Sequence, residues 1–341
     1  MLGTVLLAMV GMGAMTEERP LTSPPIVIAH RGASGSRPEH TLAAYELAIE
    51  QGADFIEPDL VLTKDDVFVA RHENEISGTT DVADHPEFAA RRATRTIDGQ
   101  QVTGWFTEDF TLAELRTLRA RERLAELRPD NRRYDGQQPI PTLADVIALA
   151  KRASAQTGRT IGIYPETKHP SYFASIGHPM EARLVAQLRV AGWDSADAPV
   201  FIQSFEVNNL KALKKLTGIR LIQLMDATGR PADHAVDSYA TMATPAGLKA
   251  VATYAFGIGP NKSMVGAGKP LVHDAHVGGL RVHPWTYRAE NAFLPEAYRV
   301  PGGPEAHGRV GQEIADAVAA GVDGFFTDFP LIGAQNRDKP Y

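Results

Sequence analysis

From Ile26 onward the chain alternates two patterns of apolar and polar positions. Short β-rich apolar runs bounded by Gly or Pro alternate with stretches whose apolar residues recur every three or four positions, as in amphipathic helices. This alternation is typical of βα units, in which helices join parallel strands. The first helix is predicted over 39–49, with Gly52 as its C-cap, and another is predicted from 141 to 152.

The apolar runs that read as buried strands number eight: 26–30, 55–59, 161–166, 200–205, 220–225, 254–259, 280–286 and 324–330. Eight parallel strands close a (β/α)8 barrel, so the pattern predicts an α/β TIM barrel. The run 67–72 is predicted to fold back as a hairpin arm, which returns His72 to the level of Glu57 and Asp59. Residues 73–138 do not continue the alternation of strands and helices. They are predicted to form an insertion after the second strand, with a capped helix start in 107–115.

The candidate chemistry is concentrated at the carboxyl ends of the predicted strands. Parallel barrels keep their active sites at this end, so we expect these side chains to surround one pocket. The residues are His30, Arg31, Glu57, Asp59, His72, Glu166, Lys168, Gln203, His283, Trp285, Tyr287 and Asp328.

Two acids in the second strand, Glu57 and Asp59, point to a cation. Their i, i+2 spacing on a strand places both carboxylates on one face, about 6 to 7 Å apart. They repel unless something positive lies between them. The chain has no cysteine, which excludes thiolate metal sites and a Cys nucleophile, and oxygen ligands suit Mg²⁺ or Ca²⁺ better than Zn²⁺. Arg31 and Lys168 could hold an anion such as a phosphate, while histidines move protons.

Composition narrows the class of partner. A net charge of −6 over 341 residues gives no reason to propose nucleic acid, and Arg91, Arg92 and the arginines of 116–128 are interpreted as solvated helix faces. Residues 1–15 form an uncharged apolar run too short to span a bilayer, typical of a secretory signal peptide. We therefore expect a signal peptide or its remnant at 1–20, one domain over 21–341, export to the periplasm or beyond, and no stable membrane insertion.

Several motifs together resemble one family, the glycerophosphodiester phosphodiesterases, and most closely its periplasmic bacterial branch. The resemblance runs from Ile26 to Pro330 and is carried by His30-Arg31-Gly32-Ala33, Pro38-Glu39-His40-Thr41, Glu57-Pro58-Asp59, Thr63-Lys64-Asp65, His72-Glu73, Ile161-Gly162-Ile163-Tyr164-Pro165-Glu166-Thr167-Lys168, Gly257-Ile258-Gly259-Pro260, Val282-His283-Pro284-Trp285-Thr286 and Phe326-Thr327-Asp328-Phe329-Pro330. The chain departs from the family's pattern at two positions. Glu73 stands where the family often has Asp, and Thr167 stands between the two charged residues where the family often has Ile.

The resemblance implies a TIM barrel that hydrolyses glycerophosphodiesters, such as glycerophosphocholine and glycerophosphoethanolamine, to an alcohol and sn-glycerol 3-phosphate. It also implies one divalent cation, with Ca²⁺ expected ahead of Mg²⁺. The implied roles are acid/base catalysis for His30 and His72, cation binding for Glu57, Asp59 and Glu166, phosphate contact for Arg31 and Lys168, and substrate contact for Gln203 and Trp285.

Alternatives stay open at this point. The acids could pair with Arg31 and Lys168 without a metal, and Gln203 and Trp285 could serve packing alone. Asp328 is expected to be a hydrogen-bond anchor, whereas His40, His169 and His178 are interpreted as ordinary loop or helix residues. The rival functions are a barrel phospholipase acting on intact lipids and an exported binding protein without turnover. The nucleophile, water or the substrate's glycerol hydroxyl, is not assigned, nor is the oligomeric state.

Overall fold

The computed structural model describes residues 24–337, and the predicted alternation of strands and helices is present in them outside residues 73–138. The strands are β1 Ile26–His30, β2 Phe55–Glu57, β3 Asp59–Leu62, β4 Phe68–Ala70, β5 Ala93–Ile97, β6 Gln100–Gly104, β7 Gly162–Ile163, β8 Glu166–Thr167, β9 Phe201–Ser204, β10 Arg220–Met225, β11 Gly257–Pro260, β12 Arg281–Val282 and β13 Gly324–Thr327. The helices are α1 Leu42–Glu50, α2 Leu112–Leu115, α3 Leu143–Thr157, α4 Pro170–Ser175, α5 Glu181–Val190, α6 Val207–Leu216, α7 Tyr239–Met242, α8 Pro245–Val251, α9 Leu271–Val277, α10 Val310–Ala319 and α11 Pro330–Asn336.

Parallel pairing arranges these strands into a barrel. One sheet has the order β13-β1-β2-β7 and the other β12-β11-β10-β9-β8-β3-β4. Strands β2 and β3 form one barrel strand interrupted at Pro58, and β7 and β8 form another. Backbone hydrogen bonds join the two sheets on both sides, from Ile163 N–H to the Pro199 carbonyl (3.0 Å) and from Tyr287 N–H to the Phe326 carbonyl (2.8 Å). The prediction of an eight-stranded α/β barrel is therefore confirmed.

The hairpin after the second barrel strand also forms as predicted. Strand β4 pairs antiparallel with β3, with Leu60 opposite Ala70, and Arg71 N–H donates to the Asp59 carbonyl (3.0 Å). His72 thus follows directly beside the acidic pair. The predicted insertion, residues 73–138, then leaves the barrel as an excursion from it. This excursion contains the antiparallel strands β5 and β6, which are joined by a turn at Asp98 and Gly99, both with positive φ.

Two local expectations need correction, and a third is confirmed. Helix α1 begins at Leu42 and not at 39, because the Thr41 hydroxyl caps it by accepting from Ala44 N–H. The strand expected from 254 begins at Gly257, because Tyr254 still belongs to the turn that closes α8. The capped helix start expected in 107–115 is confirmed, because α2 begins at Leu112 and Thr111 caps it in a capping box with Glu114.

The interpretation of the arginines of 116–128 as solvated helix faces is wrong for Arg128. The segment after α2 forms turns and not a helix. The Arg128 side chain is only 4% exposed and ends between two buried carboxylates. An arginine from the excursion is therefore part of the barrel's interior at its mouth.

The period of two along the strands builds the barrel interior in layers. Its lower layer is an aromatic and aliphatic cluster of Ile28, Tyr164, Phe201, Ile222 and Phe326. Two positions further along four of these strands stand His30, Glu166, Gln203 and Asp328. The alternating side chains pack outward against the helices. The polar layer therefore lies on this dry, closely packed cluster, which forms the aromatic floor of the barrel interior.

None of the helices between residues 24 and 337 has both the length and the apolar character needed to cross a bilayer. The predicted signal peptide at 1–20 lies outside the described residues.

Candidate active site

Three carboxylates meet at the carboxyl end of the second and third barrel strands. Glu57, Asp59 and Glu166 each offer an oxygen within 4.8 Å of the others, and all three residues are buried. Burial and the charges of the other two acids raise the pKa of Glu57 well above its usual range. Burial likewise raises the pKa of Glu166, to about 7, although Lys168 opposes the shift. Such mutual repulsion in a dry site is relieved by a bound cation.

The triad fits a divalent cation on a second ground. The Asp59 Oδ1 atom is buried and makes no hydrogen bond, although a buried polar atom without a partner is costly. Its other oxygen, Oδ2, accepts from His40. Oxygen-only donors are those that Ca²⁺ and Mg²⁺ prefer. The structure thus contains a buried acidic group able to hold such an ion.

Two cations border the triad. Arg31 Nε lies 3.3 Å from Asp59 Oδ2 but makes no hydrogen bond, and Arg31 backbone N–H donates to Glu57 (2.8 Å). Lys168 Nζ lies 3.0 Å from Glu166. A planar guanidinium with an unused donor beside an ammonium group matches the oxygens of a phosphodiester.

His40 was missed as a site residue, and its interpretation as an ordinary loop residue is wrong. Its ring is fully buried, with Nε2 2.9 Å from Asp59 Oδ2 and Nδ1 2.8 Å from the Tyr45 hydroxyl. Burial raises the pKa of Asp59, but the hydrogen bond from His40 and the charges of His40, Arg31 and Lys168 together outweigh burial and hold that pKa well below the usual range. His40 therefore fixes the orientation of one predicted cation ligand.

His30, at the end of β1, is held by the last barrel strand. Its Nδ1 atom lies 2.7 Å from Asp328 Oδ1, and both residues are buried. This contact places Asp328 as a hydrogen-bond anchor, and it leaves Nε2 as the ring nitrogen that can face a substrate. Burial and the charge of Arg31 lower the pKa of His30 to about 4. The ring is therefore neutral near pH 7 in the absence of ligands.

His72, after β4, is anchored in a similar way. Its Nδ1 atom lies 2.9 Å from the Glu73 carboxylate. Burial and the charges of Arg31 and Lys168 lower the pKa of His72 to about 3. The same two cations that border the triad thus act on this ring. Two histidines, each tied through Nδ1 to a carboxylate, stand within electrostatic reach of Arg31.

Glu73 is itself held by His169, which was also interpreted as an ordinary residue. His169 Nε2 lies 2.8 Å from Glu73 and its Nδ1 lies 2.6 Å from Asp98, in the turn between β5 and β6. Burial lowers the pKa of His169, but the hydrogen bonds to Asp98 and Glu73 raise it to about 9. A protonated His169 therefore bridges the barrel and the excursion.

This bridge predicts a pH-dependent contribution to stability. Because the folded pKa of His169 is about 9 against an ordinary 6.5, the protonated bridge adds about 3 kcal/mol to the free energy of unfolding below pH 6.5. That contribution declines as pH rises through 9. Chemical denaturation of the wild type and His169→Gln between pH 6 and 10 measures it. A stability difference that does not shrink towards pH 9 would contradict the bridge.

The remaining predicted residues divide into two groups. Gln203 Nε2 donates to Glu57 Oε1 (3.0 Å), so its amide supports the triad. Trp285 Nε1 donates to the Gly259 carbonyl (2.8 Å), and its ring meets that of Phe205 at 5.6 Å. Phe205, Glu166 and Lys168 line a cavity of about 240 Å³, which places Trp285 beside the pocket.

His283 and Tyr287 lie away from the pocket. His283 is buried in the aromatic floor, with its Nδ1 2.8 Å from the Tyr164 hydroxyl. Tyr287 is buried against Phe325 on the outer face of the barrel. Neither of them is placed to contact a substrate among the strand-end residues.

Comparisons with known proteins agree with this geometry. The sequence profile of the glycerophosphoryl diester phosphodiesterase family matches residues 30–332. The chain is 37% identical to a glycerophosphodiester phosphodiesterase of Arabidopsis thaliana, covering 92% of this chain and 86% of that one. It is 30% identical to a glycerophosphodiester phosphodiesterase of Haemophilus influenzae, covering 92% and 90%. A phosphodiesterase of Oleispira antarctica, solved with its product sn-glycerol 3-phosphate, shares the fold with a TM-score of 0.61 at 22% identity, covering 93% and 98%.

Proposed function

Because this chain belongs to the glycerophosphoryl diester phosphodiesterase family, we propose that its pocket hydrolyses glycerophosphodiesters to an alcohol and sn-glycerol 3-phosphate. The observation that carries the proposal is the pairing of two carboxylate-anchored histidines with a buried carboxylate triad. Such a set supplies two proton carriers beside a cation site and two phosphate-binding cations. The product in the Oleispira antarctica structure is the product proposed here.

The side chains of this chain divide the work as follows. Arg31 and Lys168 bind the non-bridging oxygens of the phosphate and bring its negative charge between the two histidines. Before binding, burial and these cations keep the pKa of His30 and His72 low and both rings neutral. The bound phosphate offsets the cations, so one ring can take the proton of the attacking hydroxyl at Nε2. The same offset raises the pKa of the other ring, which takes a proton from solvent as the substrate binds and then gives that Nε2 proton to the leaving alkoxide.

The proposed cation ligands are Glu57, Asp59 and Glu166. A divalent cation held there supplies Lewis-acid polarisation of a phosphoryl oxygen. Gln203 and His40 keep two of these carboxylates oriented through the bonds described above. We propose Ca²⁺ ahead of Mg²⁺, because a group of carboxylates at adjacent strand ends suits its larger and more flexible coordination shell.

The proposed reaction is tested by comparing two substrates. Purified protein with Ca²⁺ is incubated with glycerophosphocholine or with vesicles of phosphatidylcholine, and the released sn-glycerol 3-phosphate and choline are measured. Release of both products in equal amounts from glycerophosphocholine is expected, with no cleavage of the intact lipid. Cleavage of the lipid alone would replace the proposal with a phospholipase, and cleavage of neither substrate with any divalent cation would point to a binding protein.

We also propose that residues 1–20 direct export and that 21–341 form one catalytic domain. The apolar run at 1–15 supports this proposal. Amino-terminal sequencing of protein secreted from bacterial cells is expected to find that the run has been removed. Retention of the intact run in the cytoplasmic fraction would contradict export.

A further inference from the structure

We propose that Arg128, delivered by the excursion, is a positioning residue for His30, so that the catalytic site is incomplete without it. This inference rests on the proposed function, in which His30 carries a proton during hydrolysis. It assigns to the excursion a part in the chemistry of the site.

The contact that carries the inference runs through Asp328. Its Oδ1 atom holds His30 Nδ1 at 2.7 Å, and its Oδ2 atom accepts from Arg128 Nη2 at 2.6 Å. Arg288 Nε lies 3.0 Å from the same oxygen. Because both of its oxygens are hydrogen-bonded, the Asp328 carboxylate is held in one orientation. Its bond to Nδ1 then holds the His30 ring in one orientation as well.

Arg128 also fixes the backbone beside His30. Its Nη1 atom donates to the Ser34 carbonyl (2.9 Å), and the Ser34 hydroxyl donates to the His30 carbonyl (2.8 Å). The guanidinium therefore reaches His30 by two routes, through the ring's carboxylate partner and through the turn that follows β1. A single planar group with fixed donor directions can hold both.

Arg128 is itself held rigidly, by a buried carboxylate. Its Nε donates to Glu290 at 2.6 Å, and Glu290 is fully buried. The Arg128 side chain is 4% exposed, against 21% for Arg288. Charge-assisted bonds in so dry a place are strong and leave little freedom. Arg128 is thus the better-fixed of the two cations that hold Asp328.

The test compares four variants with the wild type. Arg128→Ala removes the guanidinium but leaves Glu290 buried without a partner, which threatens folding. Arg128→Ala/Glu290→Gln removes both charges. Glu290→Gln alone keeps the bond from Arg128 to Asp328. Arg95→Ala is the matched control, because Arg95 is likewise an arginine of the excursion that pairs with two acids, but its partners, Glu108 and Asp109, lie within the excursion. Steady-state hydrolysis of glycerophosphocholine is measured with saturating cation for each variant whose thermal unfolding shows it to be folded.

A positioning role predicts different effects on kcat and on KM. In both Arg128 variants kcat is expected to fall about 10- to 100-fold, as is typical when an outer partner of a catalytic group is lost, with little change in KM. Guanidinium ion added below denaturing concentration is expected to restore part of kcat in Arg128→Ala. Glu290→Gln and Arg95→Ala are expected to stay within about threefold of the wild-type kcat.

Two results would overturn the inference. One is a folded Arg128→Ala/Glu290→Gln variant with wild-type kcat. The other is an equal loss of kcat in Arg95→Ala, which would show a general effect of destabilising the excursion. His30→Ala and the wild type are assayed alongside. An inactive wild type contradicts the proposed function, whereas an active wild type, an inactive His30→Ala and fully active Arg128 variants contradict the positioning role alone.

Discussion

Replacing either His30 or His72 by alanine is expected to lower kcat on glycerophosphocholine by about 10²- to 10⁴-fold, the range typical of a lost general acid or base. Each ring is tied through Nδ1 to a carboxylate, so Nε2 is the nitrogen of each ring that is left to exchange a proton with substrate. The two rings perform opposite proton transfers in the proposed scheme. Loss of either one therefore stops the same reaction at a different step.

The measurement is kcat and KM across pH for the wild type and both variants. The wild type is expected to give a bell-shaped profile, and each variant is expected to lose one side of it. His85→Ala serves as the control, because the His85 ring pairs with Asp81 and Glu87 and stacks on Phe88, all within the excursion. Wild-type turnover in His30→Ala would exclude the two-histidine scheme.

The second large effect is expected at the carboxylate triad. Asp59→Asn keeps the shape of the side chain but removes a charge from the proposed cation site. Loss of an outer-shell partner of a metal ligand typically lowers metal affinity about 10- to 100-fold. The Ca²⁺ affinity of the Asp59→Asn variant is expected to fall by more than that, and its activity is expected to fall in parallel. The unpartnered Oδ1 atom of Asp59 is the physical reason, since that oxygen has no other bond to make.

Isothermal titration with Ca²⁺ measures this affinity directly. Asp323→Asn is the matched control, because Asp323 is a largely buried aspartate that binds His276 and Arg281 just before β13, at the opposite end of the barrel. The control is expected to bind Ca²⁺ as the wild type does. Unchanged Ca²⁺ affinity in Asp59→Asn would remove Asp59 from the proposed cation ligands.

Much of the barrel was predictable because its signals are local. Apolar runs closed by Gly or Pro locate the strands, and their carboxyl ends lie together in any parallel barrel. The turn after β3 determines which residues of the two hairpin arms lie opposite each other. Counting residues outward from that turn therefore suffices to place His72 beside Glu57 and Asp59. The spacing of Glu57 and Asp59 likewise depends only on the geometry of one strand.

The contacts that were missed are long-range. Arg128 meets Asp328 across 200 positions of sequence, and nothing in its local pattern separates it from the exposed arginines nearby. His40 reaches Asp59 from a position in the loop after β1 where its backbone has a positive φ of 55°. His169 depends on a turn at Asp98 that belongs to the excursion. Periodicity carries no information about such pairings, since they arise when separate loops meet over the barrel mouth.

The most direct test of the whole account is the release of sn-glycerol 3-phosphate from glycerophosphocholine by the wild-type protein, before and after removal of divalent cations with EDTA. We expect release to stop with EDTA and to return when Ca²⁺ is restored, with Mg²⁺ less effective. Release that continues unchanged after complete removal of divalent cations would contradict a cation-dependent phosphodiesterase at this site.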